Sequence, residues 1–136
     1  MKNIFFALLA TAALLSTAAC AKTENNDEIL VRFRNTLSTP IQSAQMDVGE
    51  GPATDIGLIP AGATTDYIPF SYFLEGDGFP MGTLKGQING ADFSAWSGMW
   101  CGTGVTFQQL SKGIHTIVIV ETNADDPMFR YIFRLD

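Results

Sequence analysis

The feature that most constrains this chain is a hydrophobic pattern that repeats every second residue from position 29 onward. In residues 128–135, Phe129, Tyr131 and Phe133 alternate with arginines, as expected of a half-buried strand. No segment after residue 28 shows the 3.6-residue period of a helix. The sequence therefore predicts an all-β fold, an antiparallel β-sandwich of about seven strands over residues 29–136.

Turn residues divide this region into candidate strands. Residues 114–121 are almost continuous isoleucine and valine and are predicted to form a central hairpin with 128–135. Pro69 cannot donate to a sheet ladder, which places it at an edge or at a strand's end. Residues 71–82 are predicted as a long loop or hairpin tip, and 90–104 receives no assignment. The other predicted strands are 29–35, 41–48, 54–59, 64–70 and 83–89.

The first nineteen residues form a separate unit that is predicted to be removed. Lys2 is followed by an apolar run of about a dozen residues, short of the roughly 20 that a helix needs to cross a bilayer. This pattern is typical of a cleaved signal peptide. The predicted division is a signal peptide at 1–19, a lipidated cysteine with a tether at 20–28, and a globular domain at 29–136.

The end of this signal, Ser16-Thr17-Ala18-Ala19-Cys20, resembles the bacterial lipobox. The resemblance implies cleavage before Cys20 and diacylation of its thiol, with Thr17 where the family usually has leucine. An ordinary secretory signal is the alternative, because the small residues around Cys20 also fit its cleavage rule. Lipidation at Cys20 predicts a palmitate-type anchor in a membrane.

Residues 21–28 are polar and have no apolar side chain larger than alanine, so they are predicted to form a flexible tether. In lipoprotein sorting, an aspartate after the lipidated cysteine resembles an inner-membrane retention signal, and this chain has Ala21 there. The expected location is the outer membrane of the cell envelope. Both the periplasmic and the outward face remain open.

The net charge of the chain limits which partners it can bind. Loss of Lys2 with the signal peptide leaves seven basic and fourteen acidic residues, a net charge of −7 with the histidine neutral. The basic residues form no run in the sequence, so we expect no nucleic-acid partner.

Catalytic chemistry finds little support. If Cys20 carries lipid, Cys101 has no cysteine partner, and it joins His115, the single histidine, as a candidate nucleophile and base. A lone thiol and a strand histidine are more often structural. The same two residues are too few for a structural zinc site. We expect no enzyme, no cofactor and no metal, with a cysteine-dependent enzyme as the weakest alternative.

Aromatic residues in the irregular middle of the chain are candidates for ligand binding. They could form a flat platform for sugar rings or for an envelope protein, and the alternative is that they cap the ends of the sandwich. Phe79 belongs to the same region. The candidate ligand-binding residues are Tyr72, Phe73, Trp96 and Trp100.

Residues 31–35, 57–67 and 110–116 together resemble small lipoproteins of the Bacteroidetes type. The resemblance implies an immunoglobulin-like or transthyretin-like β-sandwich and a function that is mostly uncharacterised. Its motifs are a strand start, a turn and a hairpin entry, so no functional residue is carried over. The predicted function is a membrane-tethered, non-catalytic binding or accessory module, with a glycan-binding domain as the alternative.

Overall fold

The computed structural model describes residues 27–97 and 104–136. These residues contain eleven strands and no helix, which confirms the all-β prediction. No helix in the described ranges is long and apolar enough to span a membrane. Residues 1–26, with the signal peptide and Cys20, and residues 98–103, with Trp100 and Cys101, lie outside the description. The strands are β1 Ile29–Asn35, β2 Ile41–Asp47, β3 Thr54–Ile59, β4 Ile68–Phe70, β5 Leu74–Gly76, β6 Phe79–Pro80, β7 Thr83–Ile88, β8 Ala91–Trp96, β9 Gln108–Gln109, β10 Gly113–Glu121 and β11 Tyr131–Leu135.

Eight strands form one large sheet in the order β3-β2-β7-β8-β11-β10-β1-β4, and β6-β5-β9 form a small second sheet. The predicted hairpin of β10 and β11 is confirmed, with Ile119 opposite Phe133. Most neighbouring strands of the large sheet are antiparallel, as predicted, but β1 runs parallel to β10 and β8 runs parallel to β11. Burial explains the placement of β10: Ile117, Val118 and Ile119 are all buried, so this strand needs a neighbour on each side and cover on both faces.

The large sheet curves until its two edges almost meet. β3 and β4 lie at opposite ends of the strand order but follow each other in the chain, and the residues between them cross to β1. Asn35 donates its backbone N–H to Ala63 (2.9 Å), and Thr65 donates to Phe33 (2.9 Å). In the first part of the predicted strand 64–70, only an isolated bridge at Thr64 pairs with β1. Regular strand pairing with β1 is limited to Ile68–Phe70. Pro69 lies on the edge strand β4, as predicted.

The core fills the inside of this curved sheet. It is built from the inward residues of β1, β2, β10 and β11, and from Phe70 and Phe73, whose rings pack edge to face with centroids 5.1 Å apart. Hydrophobic burial of this kind stabilises by about 1.5–3 kcal/mol for each large side chain. The largest fully buried apolar side chains are Phe33, Phe73, Phe133, Ile41, Met46, Ile59, Leu84, Ile117, Ile119 and Val31.

A bulge in β2 departs from the predicted alternation. Ser43 has a φ of 48°, and the pairing of β2 shifts register on both sides of it. The extra residue lets Ile41 and Ala44 both face the core although they are three residues apart. Gly86 of β7 lies against this bulge, since a Cβ there would be 2.8 Å from the carbonyl oxygen of Gln42.

The segments that the sequence left open also form strands. Residues 71–82 contain the hairpin of β5 and β6, one of the two forms predicted for them. The unassigned region 90–104 begins with β8, which pairs with β7 along its whole length. The tight connection between these two strands uses Asn89 and Gly90, both with positive φ, as a two-residue hairpin requires.

Candidate ligand-binding groove

Trp96 is a large aromatic residue on the solvent side of the sheet. In β8 the buried residues are Phe93 and Ala95, so the strand's alternation sends Ser94 and Trp96 outward. Trp96 pairs with Thr83 on β7 and with Ile132 on β11, and it is 50% exposed. The indole therefore lies on the outer face, near the middle of the strand order, with a neighbouring strand on each side.

The sheet is open next to this residue because β8 and β11 pair at a single position. Since Trp96, the last residue of β8, is opposite Ile132, the preceding residues of β8 lie beside 127–131, where β11 has barely begun. Pro127 in that stretch has no N–H to donate. The result is a groove of about 820 Å³ that runs along β8, with residues 127–131 as its second bank.

The groove combines an aromatic floor with a mixed rim. The rings of Phe93 and Tyr131 are tilted against each other with centroids 4.9 Å apart and close the gap from below. Trp96 and Met128 project at the rim, and Met128 is 62% exposed. Hydrogen-bonding groups among the lining residues come from Lys85, Asp92, Ser94 and Arg130.

The second bank is fixed by hydrogen bonds within its own loop. The Asp126 carboxylate accepts from the backbone N–H of Met128 (2.9 Å) and from that of Phe129 (3.2 Å). Thr122 donates its N–H to the carbonyl of Arg130 (2.8 Å), which extends the β10–β11 pairing beyond the regular strands. Met128 and Arg130 are thus held beside the groove in a defined backbone conformation.

The charges around the groove are partly paired. Arg130 donates from Nε to Oε1 of Glu121 at 2.7 Å, and this bond is the main cause that raises the pKa of the guanidinium above its ordinary value. The same guanidinium lies 5.1 Å from the centroid of the Tyr131 ring. Lys85 is 3.9 Å from the carboxylate of Asp47, a long and exposed contact that leaves the ammonium available.

The four aromatic residues proposed from the sequence do not form one surface. Phe73 is fully buried against Phe70 and belongs to the core. Tyr72 is half-buried and does not line the groove. Trp100 lies outside the described residues. Trp96 is the one whose described surroundings form a site, since its neighbours leave the indole exposed beside an open groove.

Sequence reasoning missed Met128, Tyr131 and Lys85 as neighbours of Trp96. The alternation of 128–135 correctly turned Arg130 outward, but only the parallel pairing of β11 with β8 brings that segment to Trp96. The pattern within a strand says which face a residue occupies, not which strand lies beside it.

The candidate dyad is described at one of its two positions. His115 is half-buried in β10, and its Nε2 lies 2.8 Å from the carbonyl oxygen of Ser111. Cys101 lies outside the described residues. Within residues 27–97 and 104–136, no group of three or more His, Cys, Asp or Glu side chains is arranged to hold a metal ion.

Comparisons with protein-family models, with curated proteins and with solved structures gave no significant match to this chain. The site must therefore be interpreted from its own geometry.

Proposed function

We propose that this protein is a non-catalytic binding domain of the cell envelope, tethered by a lipid on Cys20, and that its ligand binds in the groove beside Trp96. The observation that carries the proposal is the indole itself: half-exposed beside a groove, it offers a large apolar surface that a bound ligand would bury. The lipobox-like residues 16–20 and the polar segment 21–28 support the tether.

The strand directions support this arrangement. The tether enters β1 at Ile29, which lies opposite Gly113 at the start of the parallel strand β10. Val120 pairs with Ile132, which pairs with Trp96, so these three residues lie side by side across the sheet. Val120 is seven residues after Gly113 along β10. At about 3.3 Å per residue the groove lies roughly 20 Å from the tethered end of the sheet. A flexible tether at residues 21–28 therefore leaves the groove about 20 Å from the point of attachment, where the lipid surface need not cover it.

The ligand class that fits best is a carbohydrate. A sugar ring has an apolar face that can stack on an indole and a rim of hydroxyls that need hydrogen-bond partners. Asp92 and Ser94 lie on the same outward face of β8 as Trp96 and supply an acceptor and a donor. The described part of the site thus offers both kinds of contact along one strand.

The finer family assignment belongs to the proposal as well. Residues 31–35, 57–67 and 110–116 support membership in the small Bacteroidetes-type lipoproteins, with an immunoglobulin-like or transthyretin-like domain. The expected site of the protein is the outer membrane. Mass spectrometry of the membrane fraction should find Cys20 diacylated, and a soluble mature protein that begins after Ala21 would contradict the anchor.

A glycan array tests the ligand class. The wild-type protein should bind at least one oligosaccharide, and Trp96→Ala should abolish this binding while the far-UV circular dichroism stays unchanged. Phe79→Ala is the matched control, because Phe79 is also an exposed aromatic residue but does not line the groove. Glycan binding that survives Trp96→Ala, or no binding to any glycan, would overturn the carbohydrate assignment.

A further inference from the structure

The basic residues of this acidic chain are gathered on one face of the large sheet. Inward positions of β1, β7 and β11 are apolar, so their arginines and lysine point to the outer face. Five of the six basic residues in the described ranges lie there, together with Asp47, Asp55 and Asp92, while most of the other acidic residues in those ranges lie in loops. The five are Arg32, Arg34, Lys85, Arg130 and Arg134.

Three of these cations surround Trp96. Ile132 is beside Trp96 on β11, and Arg130 and Arg134 lie two residues before and after Ile132 on the same face. Thr83 is beside Trp96 on β7, and Lys85 lies two residues further along. Strands about 4.8 Å apart with a rise of about 3.3 Å per residue put these diagonal neighbours about 8 Å from Trp96 at Cα. Long side chains at that distance can reach a ligand seated on the indole.

Arg134 is the least neutralised of the three. Its side chain is exposed and has no ion pair with another described residue, whereas Arg130 is held by Glu121 and Lys85 makes only the long contact to Asp47. A free cation beside an exposed tryptophan favours a negatively charged ligand at this position of the outer face.

We infer that the site around Trp96 selects anionic glycans, with a sugar ring on the indole and separate carboxylates or sulfates on Lys85, which lines the groove, and on Arg134, which lies on the other side of Trp96. The inference rests on the proposed function, since it specifies the ligand of the same site. Arginine suits this role because its planar guanidinium makes paired hydrogen bonds with carboxylate and sulfate oxygens. Ile132 and Val120 lie in the same row as Trp96 and extend the apolar surface beside the indole.

The test uses ligands that differ only in charge. One pair is oligogalacturonate and its full methyl ester, and the other is dextran sulfate and dextran, so that the two arms separate a carboxylate from a sulfate ligand. Calorimetry on the mature protein at low ionic strength should show at least one anionic member binding tenfold or more tighter than its neutral partner. The preference should shrink as salt is added, because screening weakens exposed charge pairs.

Variants assign the preference to residues. Arg134→Gln keeps the length of the side chain and should lower affinity for the anionic ligand about tenfold, which corresponds to about 1.4 kcal/mol. The same change should leave any binding of the neutral partner unaltered. Lys112→Gln is the control, because it removes the same charge just before β10 begins, about seven residues along the sheet from the row of Trp96. Trp96→Ala should remove binding of both ligands.

The outcomes separate the two proposals. Equal binding of neutral and anionic glycans that depends on Trp96 would overturn the anionic preference and leave the proposed function intact. Binding of polyglutamate as tightly as the anionic glycan, insensitive to Trp96→Ala, would show simple ion exchange and overturn the inference. Absence of binding to every glycan would overturn both.

Discussion

Asn35 offers the sharpest test of how the sheet is held closed. Its side chain is fully buried where β1 ends, and its amide nitrogen lies 2.9 Å from the Thr39 carbonyl oxygen and 3.2 Å from those of Ile59 and Pro60. Its oxygen accepts the backbone N–H of Leu37 at 2.9 Å. One side chain thus joins β1, the turn before β2 and the end of β3.

Asn35→Ala leaves the partners of this amide without hydrogen bonds. Two of them, the N–H of Leu37 and the carbonyl of Ile59, belong to buried residues, while Thr39 and Pro60 are more exposed and can turn to water. Each buried unsatisfied group costs about 1–3 kcal/mol, so we expect a loss of about 2–6 kcal/mol in the free energy of unfolding. For a single domain with a total stability of about 5–15 kcal/mol, this is a large fraction.

Urea unfolding of the mature protein, followed by circular dichroism, measures this loss. Gln87→Ala is the matched control, since Gln87 is an exposed amide on β7 with no side-chain hydrogen bond to another described residue, and it should change stability by less than about 0.5 kcal/mol. A loss below about 1 kcal/mol for Asn35→Ala would refute the argument that this amide closes the sheet.

Asn35→Asp tests the same contacts through charge. The carboxylate would face three carbonyl oxygens in a buried site, so the pKa of the new carboxyl in the folded state should lie above its unfolded value of about 3.9. The destabilisation is then complete above the folded pKa and is relieved as the pH falls through it. Stability relative to wild type that did not improve between pH 7 and pH 4 would contradict this reasoning.

Three further changes probe the core, the bulge and the outer face. Phe133→Ala removes a fully buried ring from the central hairpin and should cost about 3–5 kcal/mol, seen as a large fall in the melting temperature; a fall of only a few degrees would mean that the site collapses around the gap. Gly86→Ala places a Cβ 2.8 Å from the Gln42 carbonyl oxygen and should cost about 1–3 kcal/mol in urea unfolding; a loss below about 0.5 kcal/mol would show that the β2 bulge moves to accept the methyl group. Arg34→Gln breaks the exposed 2.7 Å pair with Asp136 and should cost less than about 1 kcal/mol, with any effect lost at high salt; a larger loss would show that the pair fixes the C-terminus.

The local pattern predicted the strands far better than their partners. The alternation of residues 29–35 and the apolar run 114–121 identified β1 and β10, and Pro69 marked the edge. The same pattern fits a parallel or an antiparallel neighbour equally well, which is why the pairing of β1 with β10 was not predicted. The bulge at Ser43 was missed for a related reason, because one inserted residue changes which positions face the core without changing composition.

The candidate site shows the limits of local pattern most clearly. Phe73 and Trp96 are both aromatic residues in the irregular middle of the sequence, yet one fills the core and the other faces solvent. The difference lies in tertiary contacts: Phe73 packs against Phe70 of the edge strand, whereas Trp96 occupies one of the alternate positions of β8 whose side chains face solvent. Exposure of an aromatic residue therefore had to come from the structure.

The groove and the strand order have a common origin. An antiparallel neighbour could join β8 by a tight turn and pair along its full length, but β11 runs parallel to β8 and begins only where β8 ends. That offset leaves residues 91–95 beside a loop instead of a strand, and it brings Arg130 and Arg134 to either side of the Trp96 row. The parallel pairing that the sequence did not predict is thus what creates the opening and brings Arg130 to its edge.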